Sequence, residues 1–205
     1  MKIYGSYNSS AGRCFVMLEE CQVPYERMPL NMKEGQHKSP EFLKLNPNGK
    51  VPTLVDGDFT LWESLAINRY LATKYKPEML GKSPQEQALV EQWSVWALAE
   101  LQPPLVELLI QLHFVPEPKR DQSLIQRSHE KYPRFLKVLE AHLAGREFMV
   151  GSSYTLADVN VASTVNIAFG VGVDLSSYPN IVTWVKKMQK RPAFQKVAEM
   201  AKAAH

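Results

Sequence analysis

An α/β domain followed by an all-helical domain is the organisation that this 205-residue sequence predicts. Three observations predict it. Short apolar runs with strand character, broken by Gly, Pro and Asn turns, are confined to the first part of the chain, before position 75. The stretch 74–84, KYKPEMLGKSP, is polar and carries two prolines and a glycine, the composition of a linker. From Gln85 onward apolar residues recur at three- and four-residue spacing and no strand pattern returns. The expected division is therefore 1–76, a linker at 77–84, and 85–205.

In chain order, residues 2–6 (KIYGS) read as a strand, and Tyr7, Asn8, Ser9, Ser10, Ala11 and Gly12 as a polar loop. An amphipathic helix follows, with Cys14, Phe15, Leu18 and Cys21 on one face. Ser9 and Ser10 lie where helix N-caps belong, facing exposed backbone donors and the positive helix end. Val23 to Leu30 contains a second strand, followed by a polar loop at 31–35. His37 and Lys38 stand on a loop just ahead of Ser39-Pro40-Glu41, an N-cap and proline helix start.

The run 46–70, NPNGKVPTLVDGDFTLWESLAINRY, organises the rest. Asn46, Pro47, Asn48 and Gly49 supply a turn, and Val51 to Val55 a short buried strand interrupted by Pro52. Proline removes a ladder hydrogen bond, so Pro52 belongs at an edge or special bend. A cis Val51-Pro52 bond meets that need and leaves the Val51 N–H and C=O free to pair with an extended ligand. Asp56, Gly57 and Asp58 turn the chain into a second strand, Phe59 to Trp62, and Glu63-Ser64 opens a helix with Ser64 as its cap. An anion-binding helix start thus lies beside a free strand edge.

Composition narrows the function. Hydrophobic residues make up 45% and charged residues 22%, ordinary values for a soluble globular protein, and the net charge of +3 is mild. Basic residues alternate with acidic ones, leaving no basic stripe for nucleic acid. No apolar run approaches the roughly 20 residues of a membrane span, and Met1-Lys2 leads directly into strand pattern. The cytoplasm is the expected compartment. Cys14 and Cys21 lie about 10 Å apart along one helix at 1.5 Å rise per residue, too far to bridge, so two free thiols are expected.

The VPTL strand followed by the ES-x-AI helix start resembles the glutathione-binding half of the cytosolic glutathione transferases, built on a thioredoxin-like domain. KIYGSYNSSAGRC at 2–14, QHKSPE at 36–41 and TLAD at 155–158 extend the resemblance from Lys2 to Ala201. The plant-type phi class is most similar, with the serine-using theta and delta classes next. In the serine classes the residue meeting the glutathione sulfur lies four or five positions before an arginine of the first helix, here Arg13. Four before is Ser9 and five before is Asn8. Ser9 is preferred because a hydroxyl donates to a thiolate, with Ser10 as second choice. The phi pattern fits Asn8, and Tyr7 remains an alternative hydroxyl donor.

Activation by such a donor has a simple chemical basis. A free thiol has a pKa near 8.5 and only its thiolate attacks well. A donor aimed at sulfur near a helix N-terminus favours the charged form without a metal. The resemblance further implies that His37 and Lys38 bind the glycyl carboxylate, with Lys50 adding to the same positive wall. Ser64 would take the γ-glutamyl carboxylate and Glu63 the α-ammonium, while Val51, ahead of Pro52, would pair with the peptide backbone.

In the second domain, helix patterns run over 84–114, 121–144, 156–170, 179–190 and 192–203. Pro103-Pro104 calls for a kink or break in the first of these. Thr155-Leu156-Ala157-Asp158 has the form of a capping box and belongs to folding. His113, His129 and His142 lack metal-ligand company. The resemblance implies that this domain contributes the electrophile pocket and that the protein is a homodimer.

The leading reading is a glutathione transferase that adds the activated tripeptide thiol to apolar electrophiles. Reduction of organic hydroperoxides would use the same thiolate. The alternative is a noncatalytic ligand carrier or interaction subunit of the same fold.

Overall fold

The computed structural model describes residues 1–32 and 34–204, so position 33 of the expected polar loop lies outside the described residues. Four short strands form one mixed sheet in the order β2-β1-β3-β4: β1 Lys2–Tyr4, β2 Glu26–Met28, β3 Thr53–Asp56 and β4 Phe59–Trp62. β1 and β2 are parallel and therefore need a crossover, which the helix α1, Gly12–Cys21, provides. β3 runs antiparallel to both β1 and β4, and the two residues Gly57 and Asp58 close the β3-β4 hairpin. This is a thioredoxin-like arrangement. Its register puts Tyr4 opposite Thr53 and Thr53 opposite Trp62, so the end of β1, the start of β3 and the end of β4 share one end of the sheet.

Helices α2, Pro40–Leu45, and α3, Ser64–Tyr75, complete the N-terminal segment. Ser39 caps α2 as expected, its Oγ accepting from the Phe42 N–H at 3.2 Å. Ile3, Phe15, Leu18, Leu54, Ile67 and Leu71 are fully buried between sheet and helices. Each such side chain contributes roughly 1.5–3 kcal/mol through burial.

The last helix, α9 at Pro192–Ala203, packs on α1, so the first compact unit is residues 1–80 together with the segment from Lys190 onward. Sequence order alone groups that helix with the helical segment. Its Ala193, Phe194 and Val197 are buried, and charge pairs accompany them: Arg191 meets Glu20 through Nε and Nη2 at 2.8 and 2.9 Å, and Lys196 meets Glu19 at 2.7 Å.

The second compact unit, Gly81–Gln189, is helical throughout. It contains α4 Pro84–Trp96, α5 Gln102–His113, α6 Gln122–Leu143, α7 Leu156–Gly170 and α8 Pro179–Gln189. The break expected at Pro103-Pro104 takes the form of a π-helical turn over Ala97–Leu101. Neither proline has an N–H for the carbonyl four residues back, and the wider turn absorbs the mismatch. Pro133, inside α6, was not singled out by the sequence pattern. The apolar α7 is buried on nearly all sides, and α4, α5 and α8 pack on it. At its start the buried Asp158 accepts from the Thr155 and Met149 N–H groups, both at 2.9 Å, and from Trp184 Nε1 at 3.1 Å. Among the described residues, no helix is long and apolar enough to cross a membrane.

Candidate active site

The loop between β1 and α1 carries Ser9. Its Oγ donates to the Ser6 carbonyl at 2.7 Å and accepts from the Ala11 N–H at 3.1 Å. The expected capping by Ser9 or Ser10 is corrected in detail. Regular helix starts at Gly12, the cap position is Ala11, and no side chain among the described residues caps it. Ser9 stabilises the turn one step ahead, where consecutive bends replace a simple cap. Ser10 is exposed and Asn8 is exposed. Tyr4 packs its ring against Phe42 at 5.5 Å, and Tyr7 against Phe15 at 4.4 Å, so both rings are packing groups.

The Val51-Pro52 peptide bond is cis. Ladder pairing of β3 begins at Thr53, so Val51 lies outside the register among the described residues. Continuing that register by one residue sets Pro52 level with Gly5 on one side and Glu63 on the other. Gly5 ties the Ser9 loop to this point: a Cβ placed on it would lie 3.6 Å from Val51 Cβ and 3.8 Å from Ser9 Oγ.

Lys38 and His37 form a short 3-10 turn against the 46–50 segment. Lys38 Nζ donates to the Asn48 carbonyl at 3.2 Å, leaving further donors of the exposed ammonium directed to solvent. Gly49 is required here, because its φ of +58° is left-handed and a Cβ would stand 2.7 Å from the His37 carbonyl oxygen. His37 is half-buried, and its Nδ1 is buried without a hydrogen-bond partner among the described residues. Lys50 is exposed, while its carbonyl accepts from Asn46 Nδ2 at 2.7 Å.

Sequence reading missed the role of Asn46. It is only 2% exposed, and besides Lys50 it donates to Thr53 Oγ1 at 3.2 Å and accepts from the Asn48 N–H at 3.0 Å. One amide therefore spans the bend on both sides of Pro52. In NPNG an Asn reads as a solvated turn former, and nothing in the pattern signals its burial.

At the end of β4, Glu63 is exposed and adopts φ 71°, ψ 116°, a left-handed conformation that costs a non-glycine residue of order 1–3 kcal/mol. Ser64, expected as the cap of α3, is instead its first helical residue and is 5% exposed. Glu63 holds the cap position and gives no side-chain bond to the helix. Among the described residues no side chain caps the start of α3, so its positive dipole end stays open.

The two helix starts are joined through the core. Cys14 Sγ donates to the Ser64 carbonyl at 3.5 Å, and Asn68 Nδ2 donates to the Arg13 carbonyl at 3.2 Å. Both cysteines are free and buried. Burial pushes the Cys14 thiol up to about 12 and the Cys21 thiol up to about 11, so neither is a nucleophile in the folded protein. Arg13 is also buried, and desolvation pulls its guanidinium down to about 10. The arrangement collects a hydroxyl, an unpaired strand edge, an uncapped helix start and two lysines at one end of a sheet. Such a set suits a small extended ligand with anionic ends.

Comparison with known families decides between the possible owners of this site. Residues 1–73 match the model of the glutathione S-transferase N-terminal domain, and residues 101–192 that of the glutathione S-transferase C-terminal domain. The chain belongs to the glutathione transferase family. Glutathione S-transferase 4 of Zea mays is 35% identical to it over 97% of this chain and 92% of the relative. Glutathione transferase F2 from Populus trichocarpa superimposes with a TM-score of 0.90 at 31% identity, over 98% of this chain and 99% of that one. The structure of glutathione S-transferase-I bound with lactoylglutathione gives a TM-score of 0.88 at 36% identity, covering 97% and 98%. The transferase is similar to the plant phi-class members, as the motifs at 2–14 and 36–41 imply.

Proposed function

We propose that this glutathione transferase binds glutathione along the Val51 edge and adds its thiolate to apolar electrophiles. The observation that carries this reading is the shared location of the Ser9 hydroxyl, the free Val51 edge and the uncapped start of α3 at one end of the sheet. Glutathione has two carboxylates, one ammonium and a peptide backbone, and each has a counterpart there. Ser64 and the first N–H groups of α3 take the γ-glutamyl carboxylate. Glu63, which is exposed, takes the ammonium. Val51 pairs with the cysteinyl backbone beside Pro52. His37, Lys38 and Lys50 take the glycyl carboxylate.

Ser9 is the catalytic residue in this reading, with Ser10 as second choice. Its hydroxyl turns from the Ser6 carbonyl to the sulfur, exchanging a neutral hydrogen bond for a charge-assisted one about twice as strong. That exchange favours the thiolate. The electron pair on sulfur then attacks the electrophilic carbon and displaces its leaving group, with no metal involved. The same thiolate attacks the O–O bond of an organic hydroperoxide, and a second glutathione reduces the resulting sulfenic form. In this reading the protein is a cytoplasmic homodimer, as the family resemblance implies, and equilibrium sedimentation tests the dimer by mass.

Turnover of an aryl halide together with retention on immobilised glutathione is the experiment. Retention with turnover supports the transferase. Retention without turnover favours a ligand carrier.

A further inference from the structure

We propose that Arg27 is a positioning residue that holds the Ser9 loop in shape from behind the sheet edge. The inference rests on Ser9 as the residue facing the sulfur. Arg27 lies on the edge strand β2, paired in register with Ile3. From there its Nε donates to the Gly5 carbonyl at 3.3 Å. Its guanidinium carbon sits 4.7 Å from the centre of the Tyr7 ring, a cation-π contact. One side chain therefore holds the loop at its first residue and again two residues later.

Ser6 lies between those two points, and its carbonyl also accepts from the Ser9 N–H at 3.1 Å, a backbone bond that stays in place when the Ser9 hydroxyl turns to sulfur. Tyr7 makes further contacts with α1. Its ring meets Phe15, which is fully buried, and its carbonyl approaches so closely that a Cβ on Gly12 would lie 2.5 Å away. Tyr7 is thus clamped between Arg27 and the start of α1. Releasing the Arg27 side would let Tyr7 and Ser6 shift together and carry the Ser9 hydroxyl with them. Displacement of a donor weakens a directional bond to sulfur while the carboxylate-binding loops stay in place.

Lysine cannot replace both contacts. An ammonium can stand over the Tyr7 ring but has no Nε donor at the branch point and no planar face to stack. Arg27 also borders an open cleft of about 570 Å³ with Glu19, Gln22, Tyr25 and Lys196, so methionine in its place removes cation and donor without emptying the core.

The test compares Arg27→Met, Arg27→Lys, Ser9→Ala and the Ser9→Ala/Arg27→Met double variant. The readings are glutathione affinity by calorimetry, kcat, and the pKa of bound glutathione from thiolate absorbance. Arg27→Met is expected to raise the bound thiol's pKa by about one unit, a tenfold loss of thiolate at pH values well below both pKa values. The same variant should lower kcat in step and leave glutathione affinity within about twofold, within the usual scatter of independent sites. Arg27→Lys should fall between wild type and Arg27→Met. In the Ser9→Ala background, Arg27→Met should add no further shift, because the hydroxyl it positions is gone. A full shift in that background would mean that the Arg27 charge acts on sulfur directly, which overturns the proposal. So would an Arg27→Met protein with an unchanged thiol pKa while Ser9→Ala raises it. If Ser9→Ala itself leaves the pKa unmoved, the assignment of Ser9 fails first.

Discussion

The Cys14 thiol donates to the Ser64 carbonyl at 3.5 Å, a buried contact between the first helix and the start of α3. It joins the helix that follows the Ser9 loop to the helix start proposed to receive a carboxylate. Cys14 is fully buried and neutral, so the contact is structural. Both thiols should therefore resist an aromatic disulfide reagent in the native protein and react together once it unfolds. Thiol titration with and without denaturant checks this, and a fast-reacting thiol in the native state would contradict it.

The same burial sets a pH dependence. Cys14 is raised from 9.0 to about 12 in the fold. A thiol whose folded pKa lies above its unfolded one stabilises fully below the unfolded value, and that contribution disappears as pH rises from about 9 toward 12. The urea midpoint of wild type should fall faster than that of Cys14→Ala above pH 9, and parallel curves would oppose the assignment.

Asn46 spans the bend around Pro52 with three bonds. Asn46→Ala leaves the Lys50 carbonyl and Thr53 hydroxyl with fewer partners and should cost about 1–3 kcal/mol. Because the Val51 edge loses its support, glutathione affinity should fall with it. Chemical denaturation and calorimetry on the same variant measure both effects.

Ser64→Ala should weaken glutathione binding by about tenfold, the loss of one hydrogen bond to a charged group. Stability should change little, since Ser64 does not cap its helix. Ser9→Ala should show the complementary pattern, raising the bound thiol's pKa by about 1–2 units with little effect on affinity. Thiolate absorbance against pH distinguishes the two.

Asp158→Ala strands the Met149 N–H and Trp184 Nε1, both buried, and should destabilise the helical unit by on the order of 3 kcal/mol. Glutathione affinity at temperatures well below unfolding should stay constant. A thermal melt read beside a binding isotherm tests this pair of expectations.

Local rules made most of the fold legible. The β3-β4 hairpin and the start of α2 carry their own turn and cap chemistry, and the ranges of α7 and α9 agree with helical period alone. Legibility ended where the cause was tertiary. α9 packs on α1, where Arg191 meets Glu20, 171 residues away in sequence, a pairing that no local pattern signals. The burial of Asn46 and the clamp on Tyr7 depend on close approach between segments with no shared pattern. Ser9 and Ser64 were found as polar residues at helix starts, but both lie one or more positions off the expected cap, because bends at Ala11 and Glu63 take that place.

A crystal structure with glutathione bound tests the central claim most directly. The account predicts the sulfur within hydrogen-bond distance of Ser9 Oγ, the γ-glutamyl carboxylate on Ser64 at the start of α3, and the cysteinyl backbone paired with Val51. A sulfur seated on another side chain, or a tripeptide bound away from this end of the sheet, would contradict it.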